Sequence, residues 1–65
     1  MINFTKREKD VIELIIEGKT KKEIASALFV SVHTVKAITE NIYEKAGVHG
    51  KVQLVVFVIK NNYNI

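Results

Sequence analysis

Apolar residues recur at three- and four-residue steps along most of this 65-residue chain, with polar residues between them. From about Lys6 to Glu17, Val11, Leu14 and Ile15 fall on one face, broadened by Ile12 and Ile16, which predicts an amphipathic helix. Thr5 and Glu8 stand at capping-box spacing at its start, and Phe4 is placed as the apolar half of a hydrophobic staple. Gly18 follows where a left-handed residue usually stops a helix. A second helix is predicted over about 21–28, with Thr20 and Glu23 as another capping box and Ile24, Ala25 and Leu28 turned inward. Phe29, Val30 and Ser31 form a break without glycine, and at least one of Phe29 and Val30 should plug the core.

Ser31 then caps a third helix over about 32–46. Val35, Ile38, Thr39, Ile42 and Ala46 make its inner face, and His33, Lys36, Ala37, Glu40 and Glu44 its outer one. Gly47 ends it, and Val48, His49 and Gly50 connect to a last segment, about 51–61. That segment is almost continuously apolar from Val52 to Ile59, which by propensity alone suggests a buried strand. With no second strand to pair with, it is read as a helix. Leu54, Val55, Val58 and Asn62 then face the core, while Val52, Val56 and Ile59 form a separate stripe that only a partner would cover.

A short capped helix, a break of three residues and a longer half-polar helix make a helix-turn-helix or an ordinary helical hairpin, and periodicity does not choose between them. Charge favours the first. Residues 19–36 hold Lys19, Lys21, Lys22 and Lys36 against Glu23, a balance of +3, and the rest of the chain sums to zero. Localised positive charge is the footprint of a nucleic-acid binder, although a lysine run is more often a solvated face.

Composition narrows the other classes. A chain this short buries only about 60% of its unfolded surface, so its stability is marginal without efficient packing or a partner. It has no cysteine, no stretch approaching a membrane span, and no apolar leader core in MINFTKREKD, all of which fit a cytoplasmic protein. His33 and His49 lack metal-ligand spacing, so neither a metal nor another cofactor is expected. Ser31 beside His33 is helix-start polarity rather than catalysis, and neither an enzyme nor a small-molecule substrate is expected. The carboxylates should mostly pair with lysines along helix surfaces.

From Phe4 to Ile65 the chain resembles a LuxR/GerE-type DNA-binding domain, also found at the C-terminus of NarL/FixJ-type response regulators. The stretches that carry the resemblance are FTKREKDVIELIIEGKTKKEIA, LFVSVHTVK and NIYEKAGVHGKVQLV, in order and at the family's spacing. The resemblance implies an all-α, four-helix domain spanning 1–65, with the third helix in the major groove of double-stranded DNA and the fourth able to mediate dimerisation. Phosphate contacts are expected from Thr20, Lys21, Lys22, Ser31, His33 and Thr34, at helix N-termini that favour anions. Base contacts are expected from Lys36, Ala37 and Glu40, to guanine O6 and N7, a thymine methyl and cytosine N4 respectively.

Two departures stand out. Glu40 occupies a position where relatives often carry a basic or neutral polar residue, which changes the expected target and weakens non-specific affinity. Gly50 replaces a usual polar cap, so the fourth helix should start less sharply. Val52, Val56 and Ile59 are expected to form a weak homodimer, completed on adjacent DNA half-sites. The alternative function is a helical protein-interaction module without DNA binding. Met1 suits a stand-alone protein or a fragment of a larger regulator with a receiver or ligand-sensing domain.

Overall fold

The computed structural model describes residues 3–61, and among them the secondary structure is four helices and no strand. These are α1 (Lys6–Ile16), α2 (Lys21–Leu28), α3 (Val32–Ala46) and α4 (Lys51–Lys60).

Local capping chemistry sets where each helix begins. Thr5 Oγ1 accepts from the Glu8 N–H at 3.1 Å while Glu8 Oε1 accepts from the Thr5 N–H at 2.8 Å. The same reciprocal pair joins Thr20 and Glu23, at 3.2 and 2.8 Å. Ser31 Oγ accepts from the Thr34 N–H at 3.0 Å. Each bond satisfies a backbone donor that the helix itself cannot. Helix α4 starts differently. Gly50 offers no side-chain cap, as its sequence position suggested, and instead Gln53 Oε1 reaches back to the N–H of exposed His49 at 2.8 Å.

The core gathers Val11, Ile12 and Ile15 of α1, Ile24 and Ala25 of α2, Val35 and Ile42 of α3, and Leu54 and Val58 of α4. Helix α3 runs through the middle and packs against all three others. Thr39 is the polar residue buried on it, and its hydroxyl donates to the Val35 carbonyl at 2.7 Å, so no donor is stranded.

Several expected placements need correction. Ile16, expected to broaden the inner face of α1, is exposed, because at about 100° per residue it falls beyond the arc that Val11, Ile15 and Ile12 bury. Phe4 forms no staple, since the fourth helical position is exposed Lys9; the ring is buried in the core instead. Leu14 and Leu28 are only half-buried against the core. Phe57, given no inward role from the sequence, packs there too, beside half-buried Val55. Ion pairing is sparser than expected. Among the described residues Asp10 meets Lys6 and Arg7 at 3.6 and 3.8 Å, and Glu8 meets Lys45, but no other carboxylate lies within ion-pair distance of a cation. Asn62, expected on the core side of α4, lies outside the described residues.

Candidate nucleic-acid interface

The rotation of α3 about its axis is fixed by Val35, Thr39 and Ile42, which are all buried. That rotation turns His33, Lys36, Ala37, Glu40 and Glu44 to solvent together. Lys36, Ala37 and Glu40 therefore share one outward strip, one helical turn long, with a donor, a methyl group and an acceptor in succession. None of the three is in an ion pair or side-chain hydrogen bond among the described residues, so the strip faces solvent uncommitted.

The capping residues stand at the exposed starts of α2 and α3. The Thr20 hydroxyl accepts from the Glu23 N–H and its hydrogen is shared with the Glu23 carboxylate. Ser31 Oγ and Thr34 Oγ1 lie 3.0 Å apart; one donates to the other, which leaves one hydrogen to offer outward. Thr20, Lys21, Lys22, Ser31, His33 and Thr34 are all exposed. Glu23 carries the opposing charge at the start of α2. The Thr20 backbone N–H, helped by its hydroxyl and by nearby Lys19, outweighs slight desolvation and holds that carboxyl below its ordinary value.

The fold adds one cation, Lys51, that the sequence pattern does not place with the others. An open cleft of about 450 Å³ lies between the start of α2 and the start of α4, and Lys19, Lys21, Lys22 and Lys51 all line it. Half-buried Tyr43 lines it as well, and that burial raises its phenol above its ordinary value. Lys51 is 29 or more positions from the other three lysines, so only the return of α4 brings it there. The signal available in the sequence was the positive balance of residues 51–65.

In the turn between α2 and α3, Val30 is half-buried against the core and Phe29 is 94% exposed. One of the two plugs the core, as expected. On α4, Val52, Val56 and Ile59 are 77%, 47% and 72% exposed, so α1 does not cover the stripe. Tyr63 and Ile65, the other side chains that could cover it within one subunit, lie outside the described residues. His33 and His49 belong to no group of potential metal ligands among the described residues. No helix there is long and apolar enough to cross a membrane.

This arrangement has close counterparts among known proteins. Residues 3–58 match the GerE family, described as bacterial regulatory proteins of the luxR family. The chain belongs to the LuxR family. It is 48% identical over 57 residues to the spore germination protein GerE of Bacillus subtilis, a match covering 88% of this chain and 77% of GerE. It is 47% identical over 61 residues to the transcriptional regulatory protein YhcZ of the same organism, covering 94% of this chain but 28% of YhcZ. A solved structure of Vibrio cholerae VqmA, a LuxR-type receptor described as a dimer that shifts conformation in the absence of its target DNA, superposes with a TM-score of 0.90. That match has 28% identity and covers 94% of this chain and 28% of VqmA. The chain thus spans under a third of YhcZ and VqmA and most of GerE. LuxR-family membership makes it a DNA-binding domain of the transcriptional-regulator type, not an enzyme.

Proposed function

We propose that this LuxR-family domain binds double-stranded DNA sequence-specifically in the cytoplasm and regulates transcription, with α3 seated in the major groove. The observation that carries the reading is the outward strip Lys36, Ala37 and Glu40, flanked by capped and exposed helix starts in the segment that bears the net charge of +3. Lys36 donates to guanine, Ala37 meets a thymine methyl and Glu40 accepts from cytosine. Thr20, Lys21, Lys22, Ser31, His33 and Thr34 hold phosphates and set the register, and Lys19 and Lys51 extend that contact along the backbone.

Two copies join weakly through Val52, Val56 and Ile59. Removing three such side chains from water is worth a few kcal/mol at about 25 cal/mol per Å², before the cost of association. Adjacent half-sites supply the remaining driving force by raising the effective concentration, with the two α3 helices about one DNA turn apart. The exposed α4 stripe also suits a protein-interaction module that binds no DNA, and that reading predicts a salt-insensitive protein complex instead. Selection from a random duplex pool at two salt concentrations separates the two. A recovered motif with steep salt dependence supports DNA recognition, and no enrichment at either salt excludes it.

A further inference from the structure

Three of the four helices end on the same backbone corner. After α1, the Gly18 N–H donates to the Ile15 carbonyl at 2.9 Å and the Lys19 N–H to Leu14 at 3.0 Å, with Gly18 left-handed at φ 86°. After α3, Gly47 donates to Glu44 at 3.3 Å and Val48 to Tyr43 at 3.0 Å, with Gly47 at φ 70°. After α2 the same two bonds run from Phe29 to Ser26 at 3.4 Å and from Val30 to Ala25 at 3.0 Å. There the left-handed residue is Phe29, at φ 58°, the one non-glycine with positive φ among the described residues. Glycine adopts this conformation without steric cost, whereas in a side-chain-bearing residue Cβ crowds the backbone there.

The fold gains nothing visible in return. The Phe29 ring is 94% exposed, and the apolar contact that such a corner makes with its helix comes from the next residue, half-buried Val30. A bulky residue at positive φ is an outlier, and strain of this kind is retained where function uses it.

Its neighbours indicate what the ring meets. Phe29 lies two residues before Ser31, the cap of α3, three before exposed Val32, and inside the segment holding the whole net charge. A surface of that charge draws a polyanion, and the apolar faces a DNA strand presents between its phosphates are those of its sugars. We infer that Phe29 is a DNA-contacting residue whose ring packs on the deoxyribose wall of the groove, next to the phosphates held by Ser31 and Thr34. This rests on the DNA-binding reading above.

An apolar contact of this kind releases no counterion and reads no base, which gives it a distinctive signature. The full chain, its Phe29→Gly and Phe29→Asn variants, and Lys36→Ala as reference are titrated with the selected duplex and a scrambled one at several salt concentrations, alongside thermal melts. Both Phe29 variants should melt at or above the wild-type temperature. Each should lose about tenfold in affinity on both duplexes alike, with the salt slope unchanged, and Phe29→Tyr should restore most of the loss. Unchanged affinity in the Phe29 variants while Lys36→Ala loses the selected duplex overturns the ring contact and leaves the DNA reading standing. A fall in melting temperature without a fall in affinity makes the ring structural, and an altered salt slope makes the effect ionic; either overturns the inference. Wild-type protein that binds neither duplex overturns the DNA reading and this contact with it.

Discussion

Lys45 Nζ lies 2.7 Å from Glu8 Oε1, the same oxygen that accepts the cap N–H of Thr5 at 2.8 Å. One buried carboxylate thus caps the start of α1 and clamps it to the last turn of α3. The ammonium also donates to the Asn3 carbonyl at 3.4 Å, tying the lead-in to the same point. Burial works against ionisation of Glu8, but the Lys45 ammonium and the Thr5 N–H and hydroxyl outweigh it. The carboxyl is held below its ordinary value near 4.5.

A group whose folded value is depressed stabilises the fold above its unfolded value and ceases to do so as pH falls through the folded one. Wild-type melting temperature should therefore drop as the solution is acidified below about pH 4.5. Glu8→Gln should lower stability at neutral pH by about 1 kcal/mol, discounted for the partial exposure of Lys45, or roughly 4–8 °C for a domain this size. It should also flatten the acid drop. An acid profile identical in wild type and Glu8→Gln would remove Glu8 from this role.

Val35 and Lys36 are neighbours with opposite duties, one fully buried and one exposed. Val35→Ala should cost about 1–3 kcal/mol of stability through lost burial and the space left behind. Melts would show a lower transition, with DNA affinity preserved at temperatures where the protein is folded. An unchanged transition with lost binding would mean that α3 turns a different face to the core.

Much of this was legible because it is local. Capping boxes span three residues, and the Val35, Thr39 and Ile42 spacing spans two turns, so Thr5, Thr20, Ser31 and the inner face of α3 could be read directly. The exposed stripe of α4 followed from the same periodicity. What escaped depends on how distant segments return to each other. Glu8 and Lys45 are 37 positions apart, and Lys51 reaches the lysine cleft only when α4 folds back. Phe57 shows a second limit. On a helix apolar nearly all round, such as α4, residue type does not say which side a neighbour will cover.

Phosphate contact predicts an ionic signature. Lys22→Ala and Lys51→Ala should each weaken selected and random duplexes alike and lower the salt slope by about one phosphate's worth. Titrations over a range of salt would resolve this. A slope unchanged in Lys51→Ala would place the α4 edge of the cleft off the DNA.

The dimer has its own test. Val56 is the middle residue of the exposed stripe, so Val56→Asp should leave the monomer folded and its melting temperature close to wild type. Cooperative binding to a duplex with two half-sites should disappear while the weak affinity for one half-site remains. A lower melting temperature for a monomer, with no cooperativity in wild type either, would show that the stripe is covered within one subunit.

The most direct test of the central reading is the affinity of Lys36→Ala for the selected duplex against a scrambled one at fixed salt. If the outward strip of α3 reads bases, the variant should lose roughly 1–3 kcal/mol on the selected duplex and relax the preference at one base pair, with a much smaller loss on the scrambled one. Equal losses on both duplexes would make Lys36 a phosphate contact and contradict the placement of this face of α3 in the major groove.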